Sequence, residues 1–128
     1  MVESQHKEQL LEEIAKVRNG DSVTSRTQAA ERLANLTRGI DAQKVDDATL
    51  AEIVSLLETR EDSVRAWVAA ALGNLGRRAR VAAPTLLKLL PEVDCLRGSL
   101  TSAPFIRTAL KKMGETPPPP PDCKEKQE

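Results

Sequence analysis

Between Val64 and Leu75 the apolar residues Val64, Trp67, Val68, Ala71, Leu72 and Leu75 recur at i, i+3, i+4, i+7, i+8 and i+11, the spacing of one face of an α-helix. Ala66, Ala69 and Ala70 widen that stripe until the segment is apolar nearly all round. Such a helix is buried between neighbours, and its alanines are packing residues that allow close approach. Asp62 or Ser63 stands where its cap belongs and Gly76 where it stops. The same periodicity predicts further helices over Leu10–Arg18 and Arg26–Arg38, separated by the break "NGDSVTS". Another covers "LAEIVSLLETR", one starts at Pro84, and one runs from Pro104 to Gly114. Ser25 with Gln28, and Thr49 with Glu52, have capping-box spacing, and Gly39 marks a helix stop. Pro84 suits a first helical turn, whereas Pro91 is expected to terminate its helix.

These helices repeat. A shift of 39 positions lays Leu11 on Leu50, Ile14 on Ile53, Arg26 on Arg65, Ala30 on Ala69, Leu33 on Leu72 and Asn35 on Asn74. A shift of 38 lays Trp67 on Phe105, Val68 on Ile106, Ala71 on Ala109, Leu72 on Leu110 and Gly76 on Gly114. Ile53, Leu56 and Leu57 reach Leu86, Leu89 and Leu90 only with a shift of 33, so the third unit has the longer interior loop. Three helix pairs of this length are the signature of a stacked repeat protein.

The stretch "EDSVRAWVAAALGNLGRRARVAAPTLLKLL" carries Asp then Val-Arg, an alanine block, Leu-Gly-x-Leu-Gly, and Ala-x-x-Ala-Pro-x-Leu-x-x-Leu-Leu. In this it resembles the HEAT-type repeats, an α-solenoid family that includes phycobilisome-lyase-like proteins. The likeness is closest over residues 50–90, looser over 10–40, and loosest over 95–115, where the arginine is missing. The resemblance implies an all-α, short right-handed α-solenoid of about three HEAT-like helix pairs over residues 1–115. It also implies that Asp62 and Arg65 belong to an Asp/Arg ladder joining adjacent repeats, a structural role.

Composition narrows the picture. Trp67 and Phe105 are the only aromatic residues in 128, and β-branched runs are absent, which disfavours an all-β fold. Nineteen basic residues balance nineteen acidic ones, but unevenly. Residues 1–64 hold eight Lys/Arg against thirteen Asp/Glu, and residues 65–112 hold nine against two. The folded part is thus electrically polar along its length. No long apolar run suggests a signal peptide or membrane span. The two cysteines, Cys95 and Cys123, have no metal spacing and suggest no disulfide framework; Cys123 is expected to be an exposed thiol and the location cytoplasmic. Residues 116–128, "TPPPPPDCKEKQE", read as a disordered, Pro-rich charged tail in which polyproline II geometry is favoured. As a ligand for an SH3-like groove the run lacks the usual flanking base.

No catalytic constellation stands out. His6 is the sole histidine, so a histidine-based metal site is not expected. The carboxylates sit at helix starts and polar faces, where capping and solvation account for them. Gly73 and Gly76 lie inside and at the end of a helix, unlike a phosphate loop between strand and helix. The chain is therefore expected to be a non-enzyme that uses no cofactor and works by binding a protein. With three repeats offering one site, a dedicated inhibitor or immunity-type protein is the first expectation. An adaptor or lyase-like assembly chaperone comes second, and nucleic-acid binding through the basic C-terminal repeats third. The candidate contact residues are an acidic set, Glu52, Glu58, Glu61 and Asp62, and a basic set, Arg77, Arg78, Arg80 and Arg97. Trp67 and Phe105, placed on core stripes, are not expected to offer stacking surfaces for bases.

Overall fold

The computed structural model describes residues 2–97 and 101–123. Among the described residues six α-helices follow in order: α1 (Val2–Asn19), α2 (Val23–Arg38), α3 (Asp47–Ser55), α4 (Asp62–Leu75), α5 (Ala83–Val93) and α6 (Ser102–Lys112). Short 3-10 segments cover Ala42–Lys44, Leu56–Glu58 and Gly76–Ala82, and no strand occurs among the described residues. The chain is all-α.

Helices α2, α4 and α6 lie side by side with α4 in the middle; α1 packs on α2, α3 touches α1 and α4, and α5 packs on α6. The N-terminal ends of α2, α4 and α6 share one side. There Thr27 and Ser63 hydroxyls meet at 2.8 Å, and the Ser102 N–H donates to Asp62 at 2.7 Å. At the other end Asn74 donates to the Ala34 carbonyl at 2.8 Å. The three helices are therefore parallel.

One continuous core joins Leu10, Ile14 and Val17 of α1 to Leu33, Ile53, Leu72, Leu86, Ile106 and Leu110. In α4, Val64, Ala66, Val68, Ala69, Ala71, Leu72 and Leu75 are buried as their periodicity requires, and Gly73 is buried with them. A Cβ at Gly73 would lie 3.1 Å from the Ala109 Cα, so this glycine sets the close approach of α4 to α6. Gly76 ends α4 with φ +59°, the left-handed region in which glycine has no steric penalty.

Several helix ends differ from expectation. Ser22, not Ser25, caps α2 by accepting the Ser25 N–H, and Asp46 caps α3 by accepting the Thr49 N–H at 2.7 Å. Neither Asp62 nor Ser63 caps α4. Asp62 instead reaches across to α6. Thr101 contributes no side-chain cap there, so the neighbouring helix supplies the missing acceptor. Pro91 sits inside α5, which continues two residues to Val93. A proline so near a C-terminus removes a single intrahelical bond, and Asp94 N–H to Leu90 O at 2.9 Å completes the turn.

The cysteines also differ. Cys95, just past α5, and Cys123 are joined by a disulfide, so neither is a free thiol. A separation of 28 residues hid the pairing, because contact across a folded helix leaves no trace in local spacing. Residues 116–122 leave the C-terminus of α6 without regular structure, and Pro118 accepts a hydrogen bond from Arg107 Nε at 3.0 Å. This part of the expected tail is tied to the body at Cys123; residues 124–128 lie outside the described residues.

Candidate binding face

The eight charged residues singled out from sequence divide sharply. Five are engaged inside the molecule. Arg18 pairs with Glu52, joining the end of α1 to α3. Arg26 grips Glu61 through both carboxylate oxygens, with Nε to Oε1 at 2.7 Å. Asp62 accepts from both the N–H and the hydroxyl of Ser102, at 2.7 and 2.6 Å, and faces Arg65 at 3.6 Å. Arg78 donates to the Val45 carbonyl and to Asp47, each at 2.7 Å. Arg80 pairs with Glu115 at 3.2 Å. Glu58, Arg77 and Arg97 are exposed. The acidic and basic sets thus serve largely as ties between helices. "GRRAR" opens the 3-10 segment Gly76–Ala82, with Ala79 buried and Arg78 and Arg80 paired.

These pairs shift the ionisation of their members. The hydrogen-bonded Arg26 guanidinium holds the Glu61 carboxyl below its ordinary value, and Glu61 in turn raises Arg26. Lys7, helped by the Thr49 N–H, depresses Asp46 well below the carboxylate range. Asp94 raises Arg107, which holds it through two guanidinium nitrogens. All these directions favour the charged partners seen in the fold.

A different surface stands open. Trp67 and Phe105, at equivalent places in α4 and α6, are half-buried, and their ring centroids lie 5.9 Å apart. They border a groove of about 370 Å³ whose floor is Ala69, Ala70, Gly73 and Ala109. Its far end is formed by Arg38, Asn74 and Lys112, at or near the C-terminal ends of α2, α4 and α6. Arg38 and Lys112 are exposed cations, and no carboxylate appears among the described lining residues. The groove therefore has an aromatic end, a small-residue floor and a positive end. Both aromatics pack against the core, as their place on the apolar stripes predicts, and each keeps an uncovered part at the groove.

The repeat register carried a signal for this site, since a shift of 38 superposes Trp67 on Phe105. What it lacked was direction. A helix apolar all round does not say which of its residues stays open, and only the packing of α2 and α6 leaves Trp67 and Ala70 partly uncovered.

No group of histidine, cysteine or acidic side chains among the described residues is arranged to hold a metal ion. His6 borders a hollow of about 20 Å³, room for little more than a water molecule. No described helix is long and apolar enough to cross a membrane. No family model matches this chain, and no curated protein or solved structure matches it either.

Proposed function

We propose that this chain is a short HEAT-type α-solenoid that works without catalysis, as a module binding one protein partner through the face shared by α2, α4 and α6. One observation carries the reading: the groove is open, cationic at one end and bordered by the only two aromatic residues of the chain. Trp67 keeps part of its ring open at the edge of the groove, and aromatics and arginines dominate the energetics of interfaces. Parallel helices stacked side by side, tied end to end by Arg26–Glu61 and Asp62–Ser102, suit a repeat stack that presents an extended surface. With room for a single site, a stoichiometric inhibitor of one partner is the form of this function we favour, ahead of an adaptor serving many clients.

The cysteine pair bears on where such a partner is met. Disulfides persist in oxidising compartments and are rare in the cytosol, so the bonded Cys95 and Cys123 remove the ground for a cytoplasmic placement based on free thiols. Counting thiols in the protein isolated under alkylating conditions decides between the two compartments.

The test of the binding reading is affinity capture with the full chain and with Ala70→Arg, which fills the groove from a half-buried position. Circular dichroism melts verify that the variant is folded. One protein retained in stoichiometric amount by the parent and lost by Ala70→Arg, with its activity suppressed by the parent alone, is the expected result. Equal retention by both chains removes the groove from the function. Retention that disappears with nuclease treatment and falls steeply with salt transfers the face to nucleic acid.

A further inference from the structure

If the groove is the binding site, its charge and dimensions narrow the chemistry of what enters it. From Trp67 to Asn74 is seven residues of one helix, or about 10 Å of axial rise. The apolar end and the cationic end are therefore about 10 Å apart, the separation of residues i and i+7 on a single helical face. Arg38 and Lys112 supply the positive charge, and no described lining residue offsets it. Ala70 and Gly73 on the floor carry no side chain larger than a methyl, so nothing bulky stands along α4 between the two ends.

Orientation follows from the parallel arrangement. The C-terminal ends of α2, α4 and α6 converge on the cationic end, and helix C-termini carry partial negative charge. The two full charges of Arg38 and Lys112 outweigh those partial charges, so this end takes a carboxylate. Acidic side chains are favoured in the first turn of a helix, which sets an incoming helix antiparallel to α4 with that turn at the cationic end. We propose that the groove receives an acidic amphipathic helix of the partner, running antiparallel to α4, with a carboxylate against Arg38 and Lys112 and an apolar anchor seven residues later against the paired rings of Trp67 and Phe105.

Trp67 is the only tryptophan, so its fluorescence reports the groove directly. The probe is a synthetic, acetylated and amidated Ala/Gln-rich peptide of about 16 residues, long enough to hold some helix in water, with Glu at i and Leu at i+7. Two controls replace that Glu by Lys or exchange the Glu and Leu positions. The expected result is a saturable change in Trp67 emission with the Glu-first peptide. The affinity should be about tenfold weaker for the Lys peptide or for the Arg38→Glu/Lys112→Glu variant, and should fall with salt. Equal affinity for Glu and Lys peptides overturns the acidic occupant, equal affinity for the two orders overturns the orientation, and no change in emission up to ~1 mM peptide, a binding free energy near −4 kcal/mol, overturns the helix. In each case a partner captured by the parent chain and lost by Ala70→Arg would leave the binding face itself standing.

Discussion

At Gly73 a single missing methyl sets the approach of two helices. An added Cβ would meet the Ala109 Cα at 3.1 Å and its Cβ at 3.3 Å. The obstacle is backbone, which yields only if α4 and α6 separate. Gly73→Ala gains about 1 kcal/mol of helix propensity but incurs an overpacking cost of about 1–3 kcal/mol. The net expectation is a loss of about 1 kcal/mol, read as a lower urea midpoint with an unchanged slope; a stabilised variant would show that the helices can part freely. Charge acts at this scale too. Arg26 holds Glu61 below its ordinary pKa and Lys7 does the same to Asp46. Groups depressed in the folded state contribute stability above their unfolded pKa and lose it as pH falls through the folded one. Stability should therefore decline below about pH 4.5, and Glu61→Gln should both lower stability at neutral pH and flatten that decline. Urea titrations from pH 7 to 3 would show it, and an unaltered acid slope in the variant would mean that Glu61 titrates normally.

At the scale of elements, α6 is held from outside itself. Its first N–H, that of Ser102, finds its acceptor on Asp62 of α4, and the Ser102 hydroxyl donates to the same carboxylate, both at 2.7 Å or less. Asp62→Ala should cost about 1–2 kcal/mol, the value of a lost helix cap, with hydrogen exchange accelerating first in the opening turn of α6. If exchange quickens only in α4, the tie across helices is not what Asp62 contributes. The end of α6 is secured by the bond between Cys95 and Cys123, which closes a span of 28 residues. Chain-entropy reasoning assigns such a loop about 3.5 kcal/mol. Cys123→Ser or a dithiol reductant should therefore lower the melting temperature by several degrees and release residues 116–122 to proteolysis. A reduced protein with the melting curve of the oxidised one would leave that segment without a stabilising role.

Across the whole molecule, charge and apolar surface are divided between two tasks. Most of the charged residues that looked available for a partner, Glu52, Glu61, Asp62, Arg78 and Arg80 among them, join one helix to another. The uncovered aromatic edge lies instead along α4 and α6, flanked by Arg38 and Lys112. Reversing Glu58 and Arg97 together should then change partner affinity by less than about threefold, as expected of charges at a rim, while Ala70→Arg abolishes binding. Surface plasmon resonance with the captured partner separates the two, and the opposite ranking would move the interface to the charged loops.

The helices and their apolar faces were legible in the chain by itself. A stripe such as Val64, Val68, Ala71, Leu72 and Leu75 has one low-energy solution: the helix that buries it. Gly39 and Gly76 ended their helices as their local chemistry required. Local periodicity could not say who caps whom, because Asp62 chose an acceptor role 40 residues away over its own helix. Nor could it pair Cys95 with Cys123, or show that Trp67 and Ala70 stand on the side of α4 that its neighbours leave open. Those are relations between residues distant in the chain, set when α2, α4 and α6 pack in parallel. Periodicity fixes which face of a helix is apolar; only the neighbours decide how much of it is covered.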